Sequence, residues 1–198
     1  GPAGCRVAAL TASGFDVTVI EEHETSGLPV QCAGLITDDV ISLSGVRPDI
    51  INTLYGAEVC FPDGNSVIVR SDTPKVHAVD RSDLDSKMAD YALAEGADIV
   101  YGHRATDISI HGDYAEVKAS ETYRARAVVG ADGNKSTVSG MFSNNDAKEY
   151  LRGAQADVSY RLERQDLLRI TFGSKYAPGF FTWEIPCGDF TRVGLCVP

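Results

Sequence analysis

The chain has 198 residues, a formal net charge of −10, 43% hydrophobic residues and 23% charged residues. This is an ordinary composition for a folded domain, and it excludes a collagen-like, low-complexity or wholly disordered chain. Because binding a polyanion requires a cationic surface, the acidic balance argues against a nucleic-acid partner. No apolar run approaches the roughly 20 residues that cross a membrane, and the first residues lack the pattern of a signal peptide.

The five cysteines are widely spaced and form no Cys-x-x-Cys pair, and the four histidines do not stand at metal-ligand spacing from them. This pattern predicts neither a disulfide framework nor a metal site. It favours the reducing environment of the cytoplasm.

The first 21 residues indicate a dinucleotide-binding unit. Gly1-Pro2-Ala3-Gly4 leads into a helical stretch over residues 5–13, and residues 16–20 then form a short apolar run that ends on Glu21. A glycine turn at a helix N-terminus binds pyrophosphate, and an acid after the next strand accepts hydrogen bonds from a ribose. No Lys or Arg lies between residues 14 and 47, which favours FAD or NAD over NADP. The alternative, an ordinary turn followed by a strand that ends in Glu, stays open.

The rest of the chain predicts an α/β domain followed by an antiparallel sheet. Residues 62–65 form the turn of a predicted hairpin, and residues 81–95 have the apolar spacing of an amphipathic helix. A weaker helix is predicted over residues 37–44. Strands are predicted over residues 57–61, 66–71, 98–101, 104–111, 114–118, 121–124, 127–131, 157–161, 168–172, 180–185 and 192–197.

Several segments resemble FAD-dependent enzymes of the aromatic-hydroxylase fold, in the order in which those enzymes carry them. They are GPAG with its helix and VTVIEE, then PVQCAGLI, then the helix that Arg81 opens, then AVVGADGNKSTV. PVQCAGLI and APGFFTWEIP resemble the narrower geranylgeranyl reductase family, which includes archaeal digeranylgeranylglycerophospholipid reductases. The resemblance covers residues 1–197.

The resemblance implies an FAD-binding Rossmann-like domain, with its first strand missing from this chain, and an antiparallel β-sheet substrate domain. We expect residues 1–54 and 77–146 to form the FAD-binding domain, incomplete at its N-terminus. Residues 55–76 and 147–198 would form the substrate domain, incomplete at its C-terminus. The missing strand would lie at the centre of the parallel sheet.

The resemblance also implies the site residues. The glycine turn would approach the FAD pyrophosphate, and Glu21 would bind the ribose. The backbone of residues 32–34 would line the flavin, and Ala105 would lie near the adenine. Asp132 would organise a second turn. The cofactor-binding residues are then Gly1, Ala3, Gly4, Glu21, Cys32, Ala33, Gly34, Arg81, Ala105, Asp132 and Gly133. Pro178, Phe181 and Trp183 would line a substrate cavity. Phe181 stands where the family usually has tyrosine.

The implied activity is reduction of isoprenoid carbon–carbon double bonds on lipid or prenyl substrates by an FAD-dependent oxidoreductase. The electron donor would be a reduced nicotinamide or a ferredoxin-like protein, and the enzyme would contact a membrane surface peripherally. An isolated alkene needs a hydride on one carbon and a proton on the other, so Cys32 is the candidate catalytic residue, unless it is a small cysteine that only packs against the cofactor. The alternatives are a flavin monooxygenase, an electron-transfer flavoprotein, and a non-catalytic fragment.

Overall fold

The computed structural model describes residues 1–142 and 149–198. Its helices are α1 (Pro2–Thr11), α2 (Asp38–Ser44), α3 (Arg81–Ala94) and α4 (Thr137–Phe142). Its strands are β1 (Thr18–Ile20), β2 (Leu35–Ile36), β3 (Ile50–Leu54), β4 (Gly56–Cys60), β5 (Ser66–Arg70), β6 (Val76–Val79), β7 (Asp98–Val100), β8 (Asp107–His111), β9 (Tyr114–Lys118), β10 (Thr122–Ala125), β11 (Arg152–Val158), β12 (Leu167–Phe172), β13 (Phe181–Cys187) and β14 (Phe190–Val197). The chain divides into a first unit of residues 1–30, 44–47 and 82–147 and a second unit of residues 31–43, 48–81 and 148–198.

The first unit begins with a helix followed by a strand. Helix α1 starts at Pro2, three residues earlier than predicted, because proline is well suited to the first turn of a helix. Its buried face is made of Cys5, Ala8 and Ala9, at three- and four-residue spacing. Strand β1 pairs in parallel with β7, with Val19 opposite Ile99. Within the described residues β1 has β7 as its only strand partner.

The first unit also contains an antiparallel three-stranded sheet in the order β10-β9-β8. The buried strand predicted over residues 127–131 is wrong, because this segment has no strand structure and Val129 is 62% exposed. A strand needs hydrogen-bond partners at its edges. No strand among the described residues pairs with this segment.

The second unit is built on a six-stranded sheet in the order β11-β14-β13-β12-β4-β5. The predicted hairpin is confirmed, since β4 and β5 pair antiparallel across residues 61–65. The sheet is not wholly antiparallel, because β4 runs parallel to β12. Strand β11 covers residues 152–158 instead of 157–161, and it pairs with residues 191–197 of β14.

A smaller sheet in the order β2-β6-β3 packs on the large one in the second unit. Its residues Leu54 and Ala78 join Ile185 and Cys187 in a fully buried core. This pairing gathers residues 31–43, 48–54 and 77–81 into the second unit, although the sequence assigned them to the FAD-binding domain. The functional division of the chain remains a prediction.

In residues 1–142 and 149–198, no helix has the length and apolar character needed to span a membrane. The same residues contain no group of three or more His, Cys, Asp or Glu side chains that could hold a metal ion. All five cysteines are free thiols.

Candidate functional site

The glycine turn forms an open helix N-terminus in the first unit. Gly1 is the N-cap of α1, and no side chain of the described chain caps the helix, so the first backbone N–H groups, including those of Ala3 and Gly4, lack an intrahelical acceptor. A Cβ on Gly1 would meet nothing within 4 Å, whereas a Cβ on Gly4 would lie 3.4 Å from Cβ of Ala131. The helix therefore lies against the segment before Asp132, and a helix N-terminus of this kind suits an anion.

Glu21 lies beside this helix end. One of its carboxylate oxygens accepts hydrogen bonds from the backbone N–H of His23 at 3.0 Å and lies 2.7 Å from the Nδ1 atom of that histidine. The other oxygen lies 3.4 Å from the amino nitrogen of Gly1. Burial raises the pKa of Glu21, whereas the hydrogen bonds from His23 lower it, and the pKa lies below its ordinary value. The site therefore presents a charged acceptor next to an anion-binding helix end.

His23 is a site residue that the sequence reasoning missed. Its backbone and ring both contact Glu21. Two backbone hydrogen bonds fix the chain at this point: the N–H of Glu21 donates to the carbonyl of Val100, and the N–H of His103 donates to the carbonyl of Glu21. The available signal was the spacing Glu-x-His directly after a strand, which allows a local side-chain contact.

Asp132 closes a turn directly after Ala131, the residue that lies next to Gly4. Its carboxylate accepts hydrogen bonds from Oγ of Ser136 at 2.5 Å and from the backbone N–H of Val138 at 3.1 Å. These bonds lower the pKa of Asp132 although burial opposes them. Gly133 has φ +77°, a conformation that glycine adopts without steric cost. Ala105 lies half-buried between β7 and β8, and its predicted place near adenine remains a prediction.

The loop that carries Cys32 belongs to the second unit. Gly34 has φ +75°, and a Cβ there would lie 2.6 Å from the carbonyl oxygen of Val79 and 3.5 Å from Cγ of Arg81. Only glycine fits this position. The side chain of Arg81 thus lies next to Gly34, while Cys32 is exposed.

Arg192 is a buried cation that holds this loop, and the sequence did not predict it. Its side chain is 10% exposed. Its Nε and Nη2 atoms donate to both carboxylate oxygens of Asp157 at 2.8 and 3.1 Å, and Nη1 donates to the carbonyls of Ala33 at 3.2 Å and Val79 at 3.3 Å. The Asp157 carboxylate raises the pKa of Arg192 further. The side chain therefore links β11 and β14 to the loop backbone.

Trp183 lies on the same face of the six-stranded sheet as the Arg192 side chain. Gln155, Gly194 and Trp183 are opposite one another on adjacent strands, and residues directly opposite point to the same face. A side chain on Gly194 would clash with the indole ring, so Trp183 lies across the Gly194 backbone. Gln155 lies two strands away and its Nε2 atom donates to the carbonyl of Cys32 at 3.5 Å.

The predicted substrate residues are only partly brought together. The rings of Phe181 and Trp183 meet edge to face with centroids 6.4 Å apart. Pro178 is exposed in the turn before β13, and its role remains a prediction. The second unit thus places the Cys32 loop and two of the three predicted substrate residues on one face of one sheet.

Two solved structures share this fold. A geranylgeranyl bacteriochlorophyll reductase-like protein from Thermoplasma acidophilum superimposes with a TM-score of 0.84 at 21% identity, over 100% of this chain and 53% of that one. The halogenase PltM in complex with phloroglucinol and FAD gives a TM-score of 0.73 at 13% identity, over 96% of this chain and 48% of that one. The predicted fold class is confirmed.

Curated relatives point to a narrower resemblance. The chain is 29% identical to an uncharacterized protein of Methanocaldococcus jannaschii, over 98% of this chain and 51% of that protein. It is 28% identical to the digeranylgeranylglycerophospholipid reductase of the same organism, over 100% of this chain and 53% of the reductase. The chain spans about half the length of the curated relatives it matches. No family model matches the chain. The predicted resemblance to geranylgeranyl reductases is confirmed.

Proposed function

We propose that this chain binds FAD and carries the substrate-binding sheet of an oxidoreductase that reduces carbon–carbon double bonds of isoprenoid lipids. The names of the relatives and the FAD in the halogenase structure support this reading. When bound, FAD supplies the hydride chemistry that amino-acid side chains lack.

The first unit fits the adenosine diphosphate half of FAD. The uncapped N–H groups of α1 and the positive end of its dipole suit the pyrophosphate. The Glu21 oxygen that faces the Gly1 amino nitrogen suits the ribose hydroxyls, because it lies at the helix end while hydrogen bonds from His23 orient the other oxygen. Backbone dipoles thus attract the dianion although the chain is acidic.

One observation carries the substrate assignment: the loop of Cys32 and the ring of Trp183 lie on the same sheet face, two strands apart. Adjacent strands are about 4.8 Å apart, so the backbones of Gln155, which holds the loop, and Trp183 are separated by about 10 Å. The ion pairs of Arg169 with Glu58 and Glu184 lie on the opposite face. An apolar alkene would therefore meet the aromatic face and not these charges.

The residues of this chain would bind and orient the alkene and supply its proton. Arg192 and Gly34 fix the loop backbone, and the aromatic rings hold the apolar chain. The Cys32 thiol would give its proton to the carbon that does not receive the hydride, and water would reprotonate it because its side chain is exposed. The electron donor would be a reduced nicotinamide or a ferredoxin-like protein, and the protein would act at the cytoplasmic side of a membrane surface.

The test is anaerobic reduction of geranylgeraniol by the full-length, FAD-loaded protein with dithionite as electron source. Mass spectrometry should show the addition of two hydrogens for each reduced double bond. Cys32→Ala should lower turnover by at least about 100-fold, the lower range for loss of a general acid, with normal flavin content. The matched control is Cys60→Ala, because Cys60 lies half-buried on the opposite face of the sheet.

Three outcomes would contradict parts of the proposal. Unchanged turnover of Cys32→Ala with normal flavin content removes the thiol from the mechanism. Oxygen-dependent formation of a hydroxylated product identifies a monooxygenase instead. Absence of any reduced product from the flavin-loaded wild type contradicts the proposed reaction.

A further inference from the structure

Aromatic rings continue beyond the predicted substrate residues along the same sheet. The ring of Phe181 lies 5.7 Å from that of Phe172, and Phe172 stacks on Phe61 at 6.4 Å with an interplanar angle of 15°. Trp183, Phe181, Phe172 and Phe61 therefore form one uninterrupted line of contacts across β13, β12 and the end of β4, which we call the aromatic row. Nothing in the sequence reasoning assigned Phe172 or Phe61 to a site.

The row lies within an apolar face of the sheet. Strand alternation places the rings of Trp183, Phe181 and Phe172 on one face. Phe61, directly after β4, stacks on Phe172. Ile170 is opposite Trp183, and Val59 is opposite Ile170 on the next strand. On the same face, Val67 and Val69 of β5 are 53% and 63% exposed. A continuous exposed apolar surface on a folded protein marks a binding site more often than chance exposure does.

The two ends of the row differ. At the inner end, the indole Nε1 of Trp183 is sealed from solvent and has no hydrogen-bond partner among the described residues. At the outer end, Phe172 and Phe61 are each 40% exposed. The row thus begins at a buried indole and ends at exposed rings.

We infer that the aromatic row is the binding track for the distal isoprene units of the substrate, with the reacting double bond near Trp183 and the chain extending over Phe181 and Phe172 to Phe61. This inference rests on the proposed function. A line of rings continuous with the reacting end fits one extended, unsaturated hydrocarbon chain better than a broad protein partner. It also requires no hydrogen bonds, as a polyprenyl chain can form none along its length.

The experiment compares substrates of two lengths with Phe172→Ala and Phe61→Ala. Geranylgeraniol, with four isoprene units, should reach the outer rings, whereas geraniol, with two, should not. Each variant should raise the KM for geranylgeraniol about tenfold, since loss of one aromatic contact costs about 1.4 kcal/mol. Each should leave kcat and the KM for geraniol unchanged. Phe15→Ala is the control, because Phe15 is 62% exposed and lies in the first unit.

Trp183 gives a second readout that needs no turnover, because it is the only tryptophan in the sequence. Its fluorescence should change on titration with geranylgeraniol, with weaker binding in the two row variants. If Phe172→Ala weakens the binding of geranylgeraniol but no alkene is reduced, the proposed reaction is contradicted and the proposed role of the aromatic row is supported. Equal effects on both substrate lengths, or none on either, overturn the row. Reduced binding to anionic lipid vesicles with an unchanged KM also overturns it, and identifies a membrane-contact surface instead.

Discussion

Replacement of Arg192 by alanine tests whether this buried cation holds the Cys32 loop. The change removes two hydrogen bonds to Asp157 and those to the carbonyls of Ala33 and Val79. Breaking a buried ion pair by removal of one partner costs about 3–5 kcal/mol. Because the Asp157 side chain is 46% exposed and water can stabilise it, we expect the lower end, about 3 kcal/mol. Arg192→Lys keeps the charge but not the planar fork, so about half of that loss is expected.

The assay is urea unfolding followed by the fluorescence of Trp183, which lies in the same sheet as Arg192. With a slope of about 2 kcal/mol per molar urea, a loss of about 3 kcal/mol lowers the midpoint by about 1.5 M. The control is Arg169→Ala, which breaks ion pairs to Glu58 and Glu184. Since Arg169 is 33% exposed, this should cost less than about 1 kcal/mol. Equal midpoints for the two alanine variants would refute the role of Arg192.

Two further predictions concern packing and pH. Gly194→Ala should move the indole of Trp183, destabilise the sheet by about 1–3 kcal/mol and shift the tryptophan emission. Gly112→Ala is the control and should change neither the stability nor the emission, because a Cβ there meets nothing within 4 Å. Arg164, and then Arg70, lower the pKa of Asp166 to about 2 although burial opposes them. The stabilisation is therefore complete above about pH 4 and is lost as the pH falls toward 2. Asp166→Asn should accordingly be less stable than wild type at pH 6, by less than about 1 kcal/mol. The two proteins should become equal in stability as the pH falls through about 2. A difference in unfolding midpoint that stays constant with pH would contradict this.

Local sequence signals predicted the elements that depend on near neighbours. The amphipathic spacing of residues 81–95 and the Pro-Asp-Gly-Asn turn gave α3 and the β4–β5 hairpin within one residue at each boundary. The first helix and the strand that ends before Glu21 were also predicted, although α1 begins three residues earlier than expected, because a glycine turn, a helix and a short strand are contiguous in the chain. Signals of this kind need no knowledge of distant residues.

The errors and omissions come from contacts between distant residues. The apolar run over residues 127–131 resembles a buried strand, but strand formation depends on a partner, which the described residues do not provide. Strand β3 was missed because its pairing with β6 spans more than twenty residues. The role of Arg192 depends on Asp157 and on carbonyls far away in the sequence, so no local pattern reveals it.

Binding of FAD is the measurement that tests the central claim most directly. The full-length protein is mixed with FAD, freed of unbound flavin and examined for visible absorbance, and its dissociation constant is measured by titration. We predict that the wild-type protein is yellow. Glu21→Gln should bind FAD at least about tenfold more weakly, since a hydrogen bond to a charged group contributes about 1.5–3 kcal/mol. Glu22→Gln is the control and should bind FAD as the wild type does, because the Glu22 carboxylate faces Arg104 at 3.3 Å. A colourless wild-type protein, or equal affinity in the two variants, would contradict the assignment of the glycine turn and Glu21 to the cofactor.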